Sequence, residues 1–244
     1  MRRGPVFVRP DWRFAFRQTL WAAVDVLFPP RCGGCHRNGE RFCASCLASL
    51  ALLAAPVCDW CGYPQPPAQA CANCRGQARG ALAGIRSVAF FEGPLQNALH
   101  RLKYRRDIIL ADTLAGPLAR AWAVAALPGD VVVPVPLSAE RLRERGYNQA
   151  ALLARGFAQL VGLRYTPDAL AKRRHTVSQV GLTAAQRAAN VQGAFQARPA
   201  VVANQAVVLV DDVCTTGATL VAAAAALAEA GARSIWGFTL GRAR

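Results

Sequence analysis

Lysine is almost missing from this chain. Only Lys103 and Lys172 occur among 29 basic residues; the other 27 are arginine. With abundant alanine, that skew is the mark of a GC-rich genome. It accounts for the preference for arginine but not for the excess of positive charge. Acidic residues are scarce, 14 in all, and the formal net charge is +15. Such a balance disfavours cationic partners and favours anions: nucleic acid, phosphorylated substrates or a membrane surface. A transmembrane span is lacking, since the uncharged stretch Val213–Ala228 has 16 residues where about 20 are needed. A secretory signal is lacking too. Arg17 and Asp25 interrupt the early apolar run, and Pro29-Pro30 stands in place of a small-residue cleavage site. The expectation is a cytoplasmic protein, or one peripheral to the inner face of the membrane. At 53% hydrophobic and 18% charged the chain is globular rather than disordered. Its 244 residues hold one good-sized domain and a small one.

Cysteine, by contrast, is clustered. Eight of the nine cysteines form four C-x-x-C pairs: Cys32/Cys35, Cys43/Cys46, Cys58/Cys61 and Cys71/Cys74. Each pair sets two thiolates on one side of a tight turn, and two pairs complete a tetrahedral site, so the expectation is two structural zinc ions. Four thiolates leave no position open for catalytic water. Without a secretory signal, a disulfide framework is the weaker account. The loops inside the two units, residues 36–42 and 62–70, are similar in length, which favours sequential pairing over a cross-braced one. His36 reads as a spectator. Gly33, Gly34 and Gly62 are expected to ease the turns.

The stretch that organises the remainder is V-V-L-V-D-D-V-C-T-T-G-A-T, Val207–Thr219. Val207–Val210 is too short for a helix and β-branched enough for a buried strand. Asp211 and Asp212 follow, then the small, hydroxyl-rich Thr215–Thr219. Behind them Leu220–Ala230 has high helix propensity, and Gly231 stands where a glycine ends such a helix. A helix N-terminus is a ready anion site, and Gly217 lets backbone approach a phosphate. Two carboxylates beside a phosphate pocket make sense if the ligand also carries a diol, because carboxylates accept from hydroxyls. Together these residues describe a ribose 5-phosphate site.

The motif closely resembles the phosphoribosyl pyrophosphate (PRPP) motif of type I phosphoribosyltransferases. The resemblance implies that Asp211 and Asp212 hold the ribose 2- and 3-hydroxyls as the catalytic pair. It implies that Thr215, Thr216, Gly217, Ala218 and Thr219 wrap the 5-phosphate, and that Mg²⁺ accompanies PRPP. Asp130–Val135 reads as another buried strand, and the loop after it would face the Asp211 loop. In the family the corresponding loop receives pyrophosphate. Here it carries Leu137, Ser138, Arg141 and Arg145, with Asn148 and Gln149 as further polar contacts. Arg141 and Arg143 could equally pair with Glu144 and Glu140 on a surface helix. In purine-salvage relatives the PRPP loop holds an additional Asp; position 215 is Thr, so ordinary purine salvage is not expected.

Four C-x-x-C pairs, V-P-V-P-L-S-x-x-R-x-x-x-R-G-Y-N-Q-A, Q-x-x-L-x-x-x-x-R-x-x-N and the PRPP motif occur in that order. This combination resembles the ComF family, bacterial proteins linked to competence for DNA transformation, over residues 28 to 242. The resemblance implies an α/β fold: a five-stranded parallel sheet of phosphoribosyltransferase type, flanked by helices, with a small hood and a small N-terminal zinc-ribbon domain. The expected divisions are 1–28, a helical segment; 29–76, a double zinc ribbon; 77–84, a linker; and 85–244, the phosphoribosyltransferase-like domain. Trp12, Phe16, Leu20, Val24 and Leu27 form the stripe of the first segment, read as packing on the body of the protein. Ile85–Phe91 and Ser234–Leu240 read as strands. Gly93-Pro94 reads as a helix start with basic residues behind it. Leu110–Ala126 reads as a second helix, and the basic stretch Lys172–His175 as a mobile loop before a Thr183/Gln186 capping box.

Two functions follow from the resemblance. In one, the protein is an enzyme transferring phosphoribosyl from PRPP to an acceptor. In the other, it is a non-catalytic competence module that binds PRPP as a ligand. Its partners would then be single-stranded DNA, stacked on aromatics such as Trp60 and Tyr63, and proteins of the competence machinery.

Overall fold

The computed structural model describes residues 29–66, 69–173 and 193–244. The helix expected over Asp11–Phe28 and the Thr183/Gln186 capping box lie outside the described residues.

The strands are β1 (Gly84–Phe90), β2 (Val131–Pro134), β3 (Arg164–Tyr165), β4 (Leu170–Lys172), β5 (Phe195–Ala197), β6 (Ala206–Cys214) and β7 (Ser234–Arg242), and the short β-branched runs of the sequence fall in β2 and β6. Five of them form one sheet in the order β1-β7-β6-β2-β3, and every pairing within it is parallel. The centre of the parallel sheet is buried on both faces, so β2 and the first five residues of β6 read as continuous apolar runs rather than alternating ones. The helices are α1 (Ala44–Ala48), α2 (Gly93–Tyr104), α3 (Leu110–Ala125), α4 (Ala139–Arg145), α5 (Gln149–Val161), α6 (Pro199–Val202) and α7 (Ala218–Glu229).

One face of the sheet presents Val132, Val208, Val210, Phe238 and Leu240 to α2, α3 and α5. Leu95, Leu99 and Leu102 of α2 recur at helical spacing and are fully buried. Trp122, Phe157 and Phe238 meet there with ring centroids 5.4–5.7 Å apart. The other face presents Val131, Val133, Val207, Leu209 and Ile235 to Leu220, Ala223, Ala224 and Leu227 of α7. Alanine on α7 lets the helix lie close to the strands, and Gly231 ends it with φ 86° as expected.

Two readings of the sequence change here. β6 does not stop at Val210. It stays paired with β7 as far as Cys214, opposite Arg242, so both aspartates lie inside the strand. The basic stretch is not all loop either. Lys172 pairs with Phe195 in a separate two-stranded antiparallel sheet of β4 and β5, anchored by buried Ala169 and Leu170.

The cysteine-rich segment is welded to this body. Cys32, Phe42, Cys43, Cys46 and Leu50 belong to the same core as α2 and α3. Phe90 donates its N–H to Ala51 and Leu53 donates to Val88, so residues 51–53 run along β1. Ile85 N–H donates to the Trp60 carbonyl at 2.6 Å. In the stretch read as a linker, Leu82 is buried and Ala83 N–H bonds the Ile235 carbonyl at 2.9 Å.

Candidate functional site

The thiols assemble in sequential order. Cys32, Cys35, Cys43 and Cys46 form one group, and Cys58, Cys61, Cys71 and Cys74 the other. Sulfur separations are 3.6 Å for Cys32–Cys46, 3.7 Å for Cys35–Cys43, 3.8 Å for Cys58–Cys74 and 3.6 Å for Cys61–Cys71. A tetrahedron with zinc–sulfur bonds of about 2.3 Å has edges of about 3.8 Å, so both groups fit zinc. His36 is in neither group. Burial opposes the Cys32 thiolate, but backbone N–H groups of Cys35, Cys43 and Gly34 donate to it and bring its pKa down to about 6. Gly62 takes the left-handed conformation at φ 68°. Gly33 and Gly34 do not, and their reason is space: a Cβ on Gly34 would sit 2.8 Å from both Cys46 Sγ and Pro94 Cβ.

The second site stands where β6 meets α7. Thr215 is exposed, Thr216 Oγ1 accepts from Ala218 N–H at 3.3 Å, and Gly217 is the N-cap residue with φ 81°. Ala218 and Thr219 are already helical, so the first-turn N–H groups of α7 are gathered at this loop. Asp211 and Asp212 precede it. Asp211 Oδ1 accepts from Asp212 N–H, and Asp212 Oδ1 from Val213 N–H, both at 2.8 Å. Asp212 is 4% exposed, and its Oδ2 lies 2.6 Å from Lys103 Nζ of α2. Asp212, which the resemblance sets on a ribose hydroxyl, is therefore buried and paired within the protein.

Burial, and next the negative charge of Asp212, push the Asp211 carboxyl well above the usual range; Lys103 acts against them. Lys172 is lowered by burial and by Arg141, and is held up by Asp211. The fold thus brings Asp211, Lys172 and Arg141 within electrostatic reach of one another from β6, β4 and α4. Behind the loop, Arg242 is 1% exposed and donates to Cys214 Sγ at 2.7 Å. Burial raises the Cys214 thiol to about 11.

The segment after β2 is a helix rather than an open loop. Leu137 is half-buried, and Ser138 caps α4 by accepting from Arg141 N–H. Arg141 is exposed, while Arg145 donates to Gln149 Oε1 and covers the Tyr104 ring at 5.4 Å. Asn148 spends its amide on Val135 O and its oxygen on Ala150 N–H. Neither Asn148 nor Gln149 is a free ligand group. Trp60 is 4% exposed and cannot stack on a base. The sequence set Lys103 in a basic helix and Lys172 in a basic loop, but gave no sign that Lys103 pairs with Asp212.

A helix N-terminus behind an acidic strand end, on a parallel sheet with two thiol groups welded to its edge, is the architecture of a phosphoribosyltransferase-type domain with a double zinc ribbon. Residues 23–75 match the double zinc ribbon domain family and residues 144–240 the phosphoribosyl transferase domain family. The chain is 30% identical to competence protein ComFC of Bacillus subtilis, covering 92% of this chain and 90% of that one. It is 31% identical to competence protein F of Haemophilus influenzae, covering 86% and 94%. To the DNA utilization protein YhgH of Salmonella typhimurium it is 33% identical, covering 73% and 81%. A solved glutamine PRPP amidotransferase from B. subtilis, complexed with ADP and GMP, aligns at TM-score 0.38 and 27% identity, covering 53% and 25%. The chain belongs to the ComF family.

Two predictions follow from these geometries. Purified protein should carry two zinc ions per chain by metal analysis. Because Cys32 is part of the main core, Cys32→Ser should lose one ion and lower the melting temperature of the whole chain, since zinc binding to such sites contributes about 10–16 kcal/mol in peptides. The two aspartates should differ in stability. Asp212→Asn leaves Lys103 buried and uncompensated, a loss of about 3–5 kcal/mol in denaturant unfolding. Asp211→Asn has the opposite sign. A carboxyl whose folded pKa is raised contributes stability that is full at low pH and lost as pH rises through that pKa. The Asn variant should therefore melt above wild type at pH 8, with the gap closing as pH falls toward the ordinary value of 3.8.

Proposed function

We propose that the chain binds PRPP with Mg²⁺ and transfers its phosphoribosyl group to an acceptor. One observation carries this reading: a charged strand tip, a left-handed glycine and a helix N-terminus stand in sequence at the C-terminal edge of a parallel sheet, where such sheets bind ligands. The 5-phosphate would rest on Thr215–Thr219 and the first N–H groups of α7. Asp211 Oδ2 would accept a ribose hydroxyl. Arg141 and Lys172 would face the pyrophosphate. Mg²⁺, held with the pyrophosphate, would offset its charge. In the transfer the C1–O bond to pyrophosphate breaks, pyrophosphate leaves with the electron pair, and a nucleophile attacks C1. The protein contributes position and charge. Among the described residues no helix is long and apolar enough to cross a membrane.

A second reading, binding of single-stranded DNA, is favoured by a hollow of about 490 Å³ between the first ribbon and α2. Arg31, His36, His100, Arg101, Tyr104 and Arg105 line it together with Asn97, and no carboxylate does. Tyr104 is 70% exposed and offers a stacking face in place of Trp60. The names of the relatives, competence and DNA utilization proteins, point the same way. The two readings are compatible, because the hollow and the phosphate loop are separate surfaces.

Pyrophosphate release from Mg²⁺–PRPP, with and without single-stranded DNA, tests the first reading. Release above background is expected, and Gly217→Val, which cannot take φ 81° without strain, should abolish it. For the second, fluorescence anisotropy with labelled oligo(dT) should show log Kd rising with log salt by roughly 0.7 for each phosphate contacted. Salt-insensitive binding, or none at low salt, counts against it.

A further inference from the structure

The Thr215–Thr219 loop is backed by more than its own strand and helix. A Cβ on Gly217 would sit 3.0 Å from Ile85 Cδ1 and 3.8 Å from Cys214 Sγ. The Ile85 side chain therefore fills the space under the turn. Ile85 is fully buried on the α7 face of the sheet. It belongs to β1, an edge strand, and its place is set from beyond that edge. Its N–H donates to the Trp60 carbonyl at 2.6 Å. Gly62 comes so close that a Cβ on it would stand 2.6 Å from the Ile85 carbonyl oxygen. Trp60 and Gly62 flank Cys61, a member of the second thiol group.

Another contact reaches the same loop from the same ribbon. Val221 N–H donates to the Gly217 carbonyl at 2.9 Å, the bond that closes the first turn of α7. The Val221 side chain packs on the small core of Cys58, Trp60 and Cys61. Gly80 lies against it, where a Cβ would be 2.9 Å from Val221 Cγ1. A core of three buried residues does not hold a ribbon by itself, and small units of this kind fold on their metal. The first thiol group is engaged elsewhere. Its Gly33 and Gly34 pack against Leu110, Ala98 and Pro94, and the carbonyls of Gly34 and Cys32 accept from Asn97 and Arg101. Those are residues of α2 and α3.

We propose that Ile85 and Val221 are positioning residues of the phosphate loop, and that the second thiol group holds them in place when zinc is bound. The proposal rests on the ribose-phosphate reading of that loop. Ile85 supports the turn at Gly217. Val221 fixes the first turn of the helix whose free N–H groups face the anion. Both act through the backbone of the loop. The two thiol groups thus have different duties: Cys58, Cys61, Cys71 and Cys74 support the phosphate loop, and Cys32, Cys35, Cys43 and Cys46 support α2.

The test uses the full chain, with amide hydrogen exchange as one readout and calorimetric titration with Mg²⁺–PRPP as the other. Cys71 is half-buried and Cys35 exposed, so Cys71→Ser and Cys35→Ser each remove one zinc without cutting into the main core. In C71S, exchange over residues 214–221 should speed up at least tenfold, and PRPP should weaken at least tenfold. In C35S, exchange should speed up over residues 93–104 and stay within twofold over 214–221. Ile85→Val keeps both zinc ions and removes the methyl group beneath Gly217. It should speed exchange over 214–221 and weaken PRPP, each at least threefold, and it decides the matter if a Ser variant does not fold. Wild-type exchange over 214–221 in C71S or I85V overturns the proposal, as does unchanged PRPP affinity in either. An equal rise over 214–221 in C35S and C71S, the mark of a general loosening, also overturns it. A loop that responds as expected in a wild type that binds no PRPP overturns the ribose-phosphate reading and leaves the support from the second ribbon standing.

Discussion

The pairing of β6 with β7 runs from Ala206 opposite Ser234 to Cys214 opposite Arg242, and the candidate site depends on its length. Had the ladder ended at Val210, Asp211 and Asp212 would stand on a loop with both carboxylates free to turn toward one ligand. Three more paired residues, Asp211, Val213 and Cys214, hold them in the pleat. That puts one carboxylate in the core, where a buried charge must be paired, and Lys103 is the residue that pairs it. The same ladder brings Arg242 against Cys214 beneath the phosphate loop. The loop therefore starts from a rigid strand and ends in a rigid helix, with Gly217 taking the sharp change of direction between them.

The thiolate groups belong to the same construction. A separate ribbon domain on a linker would report on zinc and little else. Here Asn97 Nδ2 donates to Gly34 O at 2.9 Å, and Arg101 donates to the carbonyls of Arg31 and Cys32. These bonds tie the first ribbon to α2, the helix that carries Lys103. Arg86 reaches the Asp59 carbonyl at 3.0 Å and ties the second ribbon to β1. Zinc occupancy and the placement of α2 are parts of one packing problem, since Cys32, Cys43 and Cys46 share their core with Leu95, Leu99 and Leu102.

Charge is partitioned in the same way. The molecule is strongly basic, and several of its acidic residues are held by arginines. Asp107 holds Arg101 at 2.6 Å, Asp130 holds Arg233 at 2.9 Å, and Glu92 holds Arg244 at 2.7 Å. The exposed pairs contribute little stability, being screened by water and salt. Asp107 pairs with one cation of the hollow beside α2, Arg101, while no carboxylate stands in its lining.

The sequence by itself determined a good deal: the four C-x-x-C pairs, the apolar runs of the parallel sheet, the helix starting at Gly93-Pro94, the glycine after α7 and the acidic-then-threonine motif. Each is a local signal, readable from spacing, propensity or turn chemistry within about a dozen residues. Only the tertiary structure decided the rest. β6 outruns its apolar residues because β7 supplies partners for its backbone, and no property of Asp211-Asp212 announces that. Lys103 finds Asp212 across 109 positions of sequence because Leu95, Leu99 and Leu102 dock α2 on the body of the protein and Lys103, four residues after Leu99, flanks that buried face. Trp60 is buried because the second ribbon folds against β1, although its sequence neighbourhood reads as an exposed knuckle. Which face of the sheet each of two adjacent carboxylates takes is set by the pleat of a strand, and the pleat is set by what pairs with it.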